Sequence, residues 1–359
     1  MRPLIVPFFI PHQGCPHRCV FCDQVKISGE GGDLPSVGEL LDKIAAYRAS
    51  GRRKSVEVAF YGGTFTTLPR PVQERLLLPL QPLVARGEIN SIRVSTRPDA
   101  VDSGSAEFLV EMGVRTVELG VQSMDDDVLT LAGRGHTALH TVESCRALRI
   151  AGIAVGMQLM PGLPGDTWEK ALASLIRVLA LRPDFLRIYP TMVIAGTKLA
   201  AQYRTCSYTP LSLAEAVRLC KIMLHAALAA EVKVIRIGLQ PTRELESSGT
   251  ILAGPYHPAF RQLVEAELCY DLLDKLTVSI PVVAPLTVSC APSRISDITG
   301  QRQGNQERLL RERGVRIAAV KGDPTLSPLE ILVQSGQEIK RGNIMHDLDY
   351  SEEGASHGR

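Results

Sequence analysis

No stretch of this chain reaches the roughly 18 consecutive apolar residues that a bilayer span requires, so no membrane segment is expected. The apolar N-terminus, MRPLIVPFFIPH, is broken by Pro3, Pro7 and Pro11 and lacks a small-residue cleavage pattern, so it does not read as a secretion signal. A charge excess of one sign is also missing. The 40 basic and 38 acidic residues give +2, so no net field argues for a polyanion partner, although a local basic patch stays open. Aromatics are scarce at 5%, with one Trp, and there is no low-complexity tract. What remains is a composition that buries a core, 45% apolar and 22% charged. The 359 residues suit about two domains, or one large α/β barrel. Eight cysteines without an export signal point to a reducing, cytoplasmic compartment, where clustered Cys serve metal or redox chemistry more often than disulfides.

Short β-rich runs alternate with longer helical patterns. The runs predict strands at 4–10, 56–61, 91–96, 115–121, 153–160, 184–189 and 232–239. Helices are expected at 36–50, 70–86, 103–112, 137–151, 166–181 and 211–230. Ser36 and Asp166 have N-cap chemistry, with Glu39 and Glu169 at the capping-box spacing. Gly51, Gly113 and Gly152 stand where helices should stop. Repeated strand–helix order implies a parallel sheet with right-handed crossovers, an α/β fold of the partial (β/α)6-type barrel class. In such a fold function sits on the loops after the strands, and the polar and glycine-rich clusters at 12–24, 62–67, 96–99, 120–126, 161–166 and 190–197 fall there. The barrel is expected over 1–240, a small C-terminal α/β extension over 241–345, and a disordered polar tail over 346–359.

The most informative segment is GCPHRCVFCDQ. Cys15, Cys19 and Cys22 form C-x3-C-x2-C directly after the first strand. Three thiolates on one loop can hold iron–sulfur or zinc. Structural zinc takes four protein ligands, no second Cys pair is near, and His17 inside the loop would be a strained fourth. A [4Fe–4S] cluster held by three cysteines leaves one iron open. Cys145, Cys206, Cys220 and Cys269 read as packing residues, and Cys290 as packing or a second redox site.

This spacing, at this place in a strand–helix repeat, resembles the radical S-adenosylmethionine (SAM) superfamily, and the likeness runs over about residues 4–240. The order of FYGGTFTTLP, STRPD, ELGVQS with LAGRGH, and QLMPGLPGD is similar to the oxygen-independent coproporphyrinogen oxidase and Elongator catalytic-subunit groups. The resemblance implies an enzyme that cleaves SAM reductively with its [4Fe–4S] cluster. The 5′-deoxyadenosyl radical so made would take hydrogen from a substrate, with electrons from a flavodoxin- or ferredoxin-type donor. It implies Cys15, Cys19 and Cys22 as cluster ligands, Gly62, Gly63 and Thr64 at the SAM amino group, and Phe21 beside adenine. Gln122 and Arg134 would meet the ribose and carboxylate, and Gln158 and Met160 the ribose and adenine side. Ser95 stands where relatives often place Glu, so one cofactor hydrogen bond is expected either to be lost or to be supplied by Thr96. STRPD, MPGLPGDT and RIYPTMVIAGTKL are closest to the Elongator side, yet about 70 residues after Cys290 are too few for that group's acetyltransferase domain.

After residue 240 the pattern changes. Phe260, Leu263, Val264, Leu268, Leu272 and Leu276 mark one face of an amphipathic helix. GPYHP before it presents Tyr256 and His257 as lid residues over a substrate, or as residues that dock the helix. Tyr189 is expected to face the same cavity. Substrate identity stays open between a tRNA and a small molecule. Two other readings are a non-catalytic haem or cluster carrier on this fold, and an RNA-binding module.

Overall fold

The computed structural model describes residues 3–31, 33–50, 55–281 and 283–350. The chain divides into two compact units, Met1–Leu211 with Leu239–Tyr256, and Ser212–Gly238 with His257–Arg359.

In the first unit six strands form where the apolar runs predicted them: β1 (Leu4–Phe9), β2 (Val56–Tyr61), β3 (Ser91–Thr96), β4 (Val114–Gln122), β5 (Ala154–Leu159) and β6 (Phe185–Ile188). They lie side by side in chain order, every pair parallel, and curl into a partial α/β barrel. Helices cross over between them, so the strands are covered and read as nearly continuous apolar runs, as in VEVAFY. Gly113 and Gly152 follow their helices at φ 77° and 76°, the left-handed stop that glycine permits; Gly51 lies outside the described residues. The helix expected at 70–86 is broken into Arg70–Leu77, a 3-10 turn at Leu78–Leu80, and Gln81–Ala85, because Pro79 and Pro82 remove backbone donors.

Ser36 and Glu39 form the expected reciprocal cap. Asp166 does not cap its helix. Thr167 does, accepting from the Lys170 N–H at 3.2 Å, while the Asp166 carboxylate accepts from the backbone of Gly162 and Thr167. A short ribbon of β7 (Val193–Ile194) against β9 (Ile251–Ala253) completes the unit.

The seventh expected strand forms as β8 (Lys233–Ile237), which groups with the second unit. That unit also holds helices Leu213–Ala229 and Phe260–Val278, and a sheet of order β11-β10-β12-β13: β10 (Leu286–Cys290), β11 (Ile317–Gly322), β12 (Glu330–Ser335) and β13 (Glu338–Asn343). Phe260, Val264, Leu268, Leu272 and Leu276 are buried as the periodicity requires.

Residues 346–350, expected in a disordered tail, are ordered. Ile344–Asp347 is helical, and Tyr350 is buried, with its hydroxyl donating to Asp271 at 2.5 Å. Lys221 pairs with the same carboxylate at 2.6 Å, and His225 meets the Tyr350 ring edge-on. The rest of that tail lies outside the described residues.

Candidate active site

The cysteine loop begins one turn after β1. The turn is tight, with His12 at φ 58° and Gly14 at φ 71°. Side chains and backbone then clasp it to the loop after β2. Gln24 Oε1 accepts from the His12 N–H at 2.6 Å and the Gly63 N–H at 2.7 Å, and His12 Nε2 accepts from the Gln24 N–H at 3.0 Å. The Thr64 N–H donates to Gln13 O at 2.8 Å, and the Thr67 hydroxyl bonds both Gly14 O and Thr64 O. Gly63 sits at φ 59°, and a Cβ there would meet Gln13 O at 2.4 Å and Ile10 O at 2.7 Å. This glycine is required by its own neighbours before any ligand is considered.

The thiols lie close enough for Cys19 to raise Cys15, and for Cys19 and Cys15 to raise Cys22. Burial first, and then Cys19 and Cys15, push the Cys22 thiol up to about 12, and burial raises Cys15. Cys19 and Phe21 are buried in one apolar cluster with Val193, Leu199 and Tyr208, and Cys22 and Met160 pack against it. The Arg134 guanidinium reaches in from the segment after β4. Its Nη1 donates to Cys19 Sγ at 3.2 Å and its Nη2 to Gly120 O at 2.6 Å. Its Nε is buried with no partner among the described residues. Behind it, buried Arg97 pairs with Asp99 at 2.9 Å and donates to Arg134 O.

Gln122 ends β4 in the left-handed region at φ 67°, unusual for a residue with a side chain, next to a break in the β4–β5 register. The kink aims its buried amide at Gln158, whose Nε2 donates to it at 3.1 Å. Ser95 is half-buried on β3, beside Glu118, and its hydroxyl has no partner among the described residues. Thr96 follows it on the strand. It alternates to the other face, where its hydroxyl meets Thr66 at 2.6 Å.

Each substrate-side residue has a local partner of its own. Tyr189 accepts from Arg187 Nη1 at 2.9 Å. Tyr256 donates to Glu246 at 2.8 Å, whereas His257 Nδ1 accepts from the Ala259 N–H at 3.1 Å at the start of helix Phe260–Val278. Cys206, read as packing, is exposed; Cys145, Cys220, Cys269 and Cys290 are buried.

A set of charged residues in the barrel strands was not singled out from the sequence. Arg93 pairs with Glu57 at 2.7 Å and Glu118 at 2.6 Å, and Arg187 pairs with Glu118 at 2.7 Å. Arg187 also reaches the hydroxyls of Tyr189 and Tyr61. Gln24, His12 and Thr67 were likewise missed, since nothing local marks them as a clasp.

A family model for the radical SAM superfamily matches residues 9–176, and one for the radical SAM C-terminal domain matches residues 183–269. The chain belongs to the radical SAM superfamily. It is an enzyme of the radical SAM type, with a [4Fe–4S] cluster and SAM as cofactors, and such chemistry needs a reductant. It is 29% identical over 230 residues to a tRNA uridine(34) acetyltransferase of Dehalococcoides mccartyi, covering 55% of this chain and 50% of that protein. It is 28% identical over 214 residues to Elongator complex protein 3 of Mus musculus, covering 54% and 39% respectively. The chain therefore spans about half the length, or less, of these curated relatives. The solved Elp3 of Methanocaldococcus infernus shares the fold, with a TM-score of 0.56 and 17% identity over 96% of this chain and 75% of that one. No helix among the described residues is long and apolar enough to cross a membrane.

The residues fit a cluster better than a bare ion. Among the described residues, no three His, Cys, Asp or Glu side chains gather tightly enough for a single metal ion. A cubane spreads its cysteines over separate irons and tolerates that spacing. The apolar wall around Cys19 and the unpartnered Arg134 Nε suit a buried, charged cofactor.

Proposed function

We propose that the chain cleaves SAM reductively and uses the 5′-deoxyadenosyl radical to take a hydrogen atom from a nucleoside of tRNA. When bound, the reduced cluster and SAM supply the radical. Cys15, Cys19 and Cys22 hold the cluster. Gly62, Gly63 and Thr64 offer backbone carbonyls to the SAM amino group, and Arg134 offers charge to its carboxylate. Gln122 and Ser95 bind toward the ribose, and Phe21, Gln158 and Met160 wall the adenine side. Tyr189, next to Arg187, is the substrate-side residue best supported, because it lines the barrel interior at the end of β6. Tyr256 and His257 complete that side only if they leave their present partners. A flavodoxin- or ferredoxin-type protein supplies the electron in a cytoplasmic setting.

The observation that carries this reading is the clasp. One loop carries the three thiols and is tied to the next, with Thr64 on Cys15, Gln24 on the Gly63 N–H and Arg134 on Cys19. The substrate class rests on the relatives, whose names specify tRNA uridine; their acetyl transfer is not part of the proposal. The test is anaerobic reconstitution with iron and sulfide, then dithionite and SAM, with 5′-deoxyadenosine as the readout. Slow cleavage that bulk tRNA accelerates, with binding that weakens as salt rises, is expected. Intact SAM after prolonged reduction would favour the carrier reading. Cleavage indifferent to tRNA would move the substrate to small molecules.

A further inference from the structure

Each of the three cysteines meets one polar side chain, drawn from three different places in the chain. Thr64 Oγ1 lies 3.4 Å from Cys15 Sγ, and Arg134 Nη1 donates to Cys19 Sγ at 3.2 Å. The Gln24 side chain, two residues on from Cys22, acts to lower that thiol, the smallest of the influences on it. None of the three is free to turn away. Thr64 is fully buried, and its hydroxyl has no other partner among the described residues. Arg134 is anchored through its second nitrogen on Gly120 O. Gln24 is sorted end for end by the backbone, because its oxygen takes two N–H groups, from His12 and Gly63, which leaves the NH2 for sulfur.

A cysteine sulfur bound to iron has lost its proton and can only accept. The hydroxyl, the guanidinium and the amide must then all act as donors. A donor at a cluster sulfur stabilises the charge that an added electron brings, and such hydrogen bonds are among the factors that set cluster potentials. We infer that Thr64, Arg134 and Gln24 form a shell of positioning residues, one donor per cysteine, that raises the reduction potential of the cluster. This goes beyond any contact of Arg134 with SAM, and it rests on the cofactor assignment.

Two near-isosteric substitutions isolate the donors. Thr64→Val removes the hydroxyl and keeps the volume. Gln24→Glu keeps an oxygen for the two N–H groups and replaces the donor with a carboxylate. Each protein is reconstituted without SAM, its iron is counted, and its midpoint potential is read by reductive titration followed by electron paramagnetic resonance. Both variants should keep the parent's iron and melting temperature yet titrate at lower potential. At fixed potential the ratio of reduced to oxidised cluster should fall about tenfold, or 59 mV for a one-electron couple. Unchanged or higher potentials with the cluster intact would overturn the inference. Loss of iron from both variants would also overturn it, since the groups would then be holding the loop. A parent protein that takes up no [4Fe–4S] cluster would overturn the cofactor assignment and this inference together, and the parent's own iron count separates that case.

Discussion

The two adjacent glycines after β2 should not be equivalent, and replacing each by alanine tests why. Gly63 has φ 59°, and its new Cβ would stand 2.4 Å from Gln13 O and 2.7 Å from Ile10 O. Both are backbone atoms that cannot swing aside. The left-handed conformation alone costs an L-residue roughly 1–2 kcal/mol. Relieving the overlap pushes the two loops apart and loosens the Thr64–Gln13 and Gly63–Gln24 bonds, at about 1 kcal/mol each. The sum is roughly 3–4 kcal/mol, a large share of the ~5–15 kcal/mol by which proteins are stable. For a unit of this size that is a fall in melting temperature of roughly 10 °C. Gly62 has φ 77°, but its Cβ would first meet the Gln24 side chain, at 3.2 Å. Gly62→Ala should therefore cost only the conformational share, roughly 1–2 kcal/mol or about 3–6 °C. Anaerobic melting of the cofactor-free proteins reads this without any contribution from SAM. Equal melting of the two variants, or Gly63→Ala within about 2 °C of the parent, would refute the clasp.

Alanine at Cys15, Cys19 or Cys22 should abolish cluster uptake, whereas Cys145→Ala should leave iron per chain unchanged; colorimetric iron analysis decides. His136 is buried, and burial, then the charges of Arg134 and Arg97, lower its pKa to about 3. The folded state then binds fewer protons than the unfolded chain, whose histidine titrates near 6.5, so stability is full above that pH and drains as pH falls toward 3. At pH 5 the loss is on the order of 2 kcal/mol. Urea melts of the cofactor-free protein at pH 7 and 5 should show it, and His136→Gln should lack that part of the pH dependence. His257→Ala removes the acceptor for the Ala259 N–H, a cap-like loss of about 1 kcal/mol. It should lower the melting temperature by a few degrees and leave iron content alone; an unchanged melt with lost substrate-stimulated turnover would return His257 to the substrate side.

The barrel strands were legible because each is a short, mostly apolar run flanked by glycine, proline or charge, and parallel strands buried on both faces must look that way. The division into units was less so. Sequence marks a change of rhythm at residue 240, but the helix at Leu213–Ala229 and β8 group with the second unit, and Leu239–Tyr256 returns to the first. Periodicity reports which face of a helix is apolar, not which core that face joins. The tail shows the same limit. HDLDY looks polar and disposable, yet Tyr350 is held because Lys221, His225 and Asp271, more than seventy residues upstream, converge on it.

At the site, a short covalent spacing carried far more than adjacency did. Cys15, Cys19 and Cys22 share one tight loop, near enough for the charges of Cys19 and Cys15 to be felt at Cys22. Tyr256 and His257 are neighbours in sequence and take different partners, since a residue entering a helix has its own backbone donors to satisfy first. The interior network could have been read further than it was. Glu57, Arg93 and Arg187 are lone charges in otherwise apolar strands, and Glu118 is the buried charge of a strand whose other charge, Arg115, is exposed, two of each sign. A charge buried without a partner is too costly to keep, so four such residues in four strands had to meet. Only the register decides how: Glu118 sits opposite Ser95 on β3 and Gly156 on β5, and the missing side chain at Gly156 leaves room for Phe185, which packs against Arg93, while Arg187 reaches Glu118 from β6. That places Tyr189 and Tyr61 on the last cation of a neutral, fully paired row, so a substrate bound there meets two aimed hydroxyls rather than a net charge.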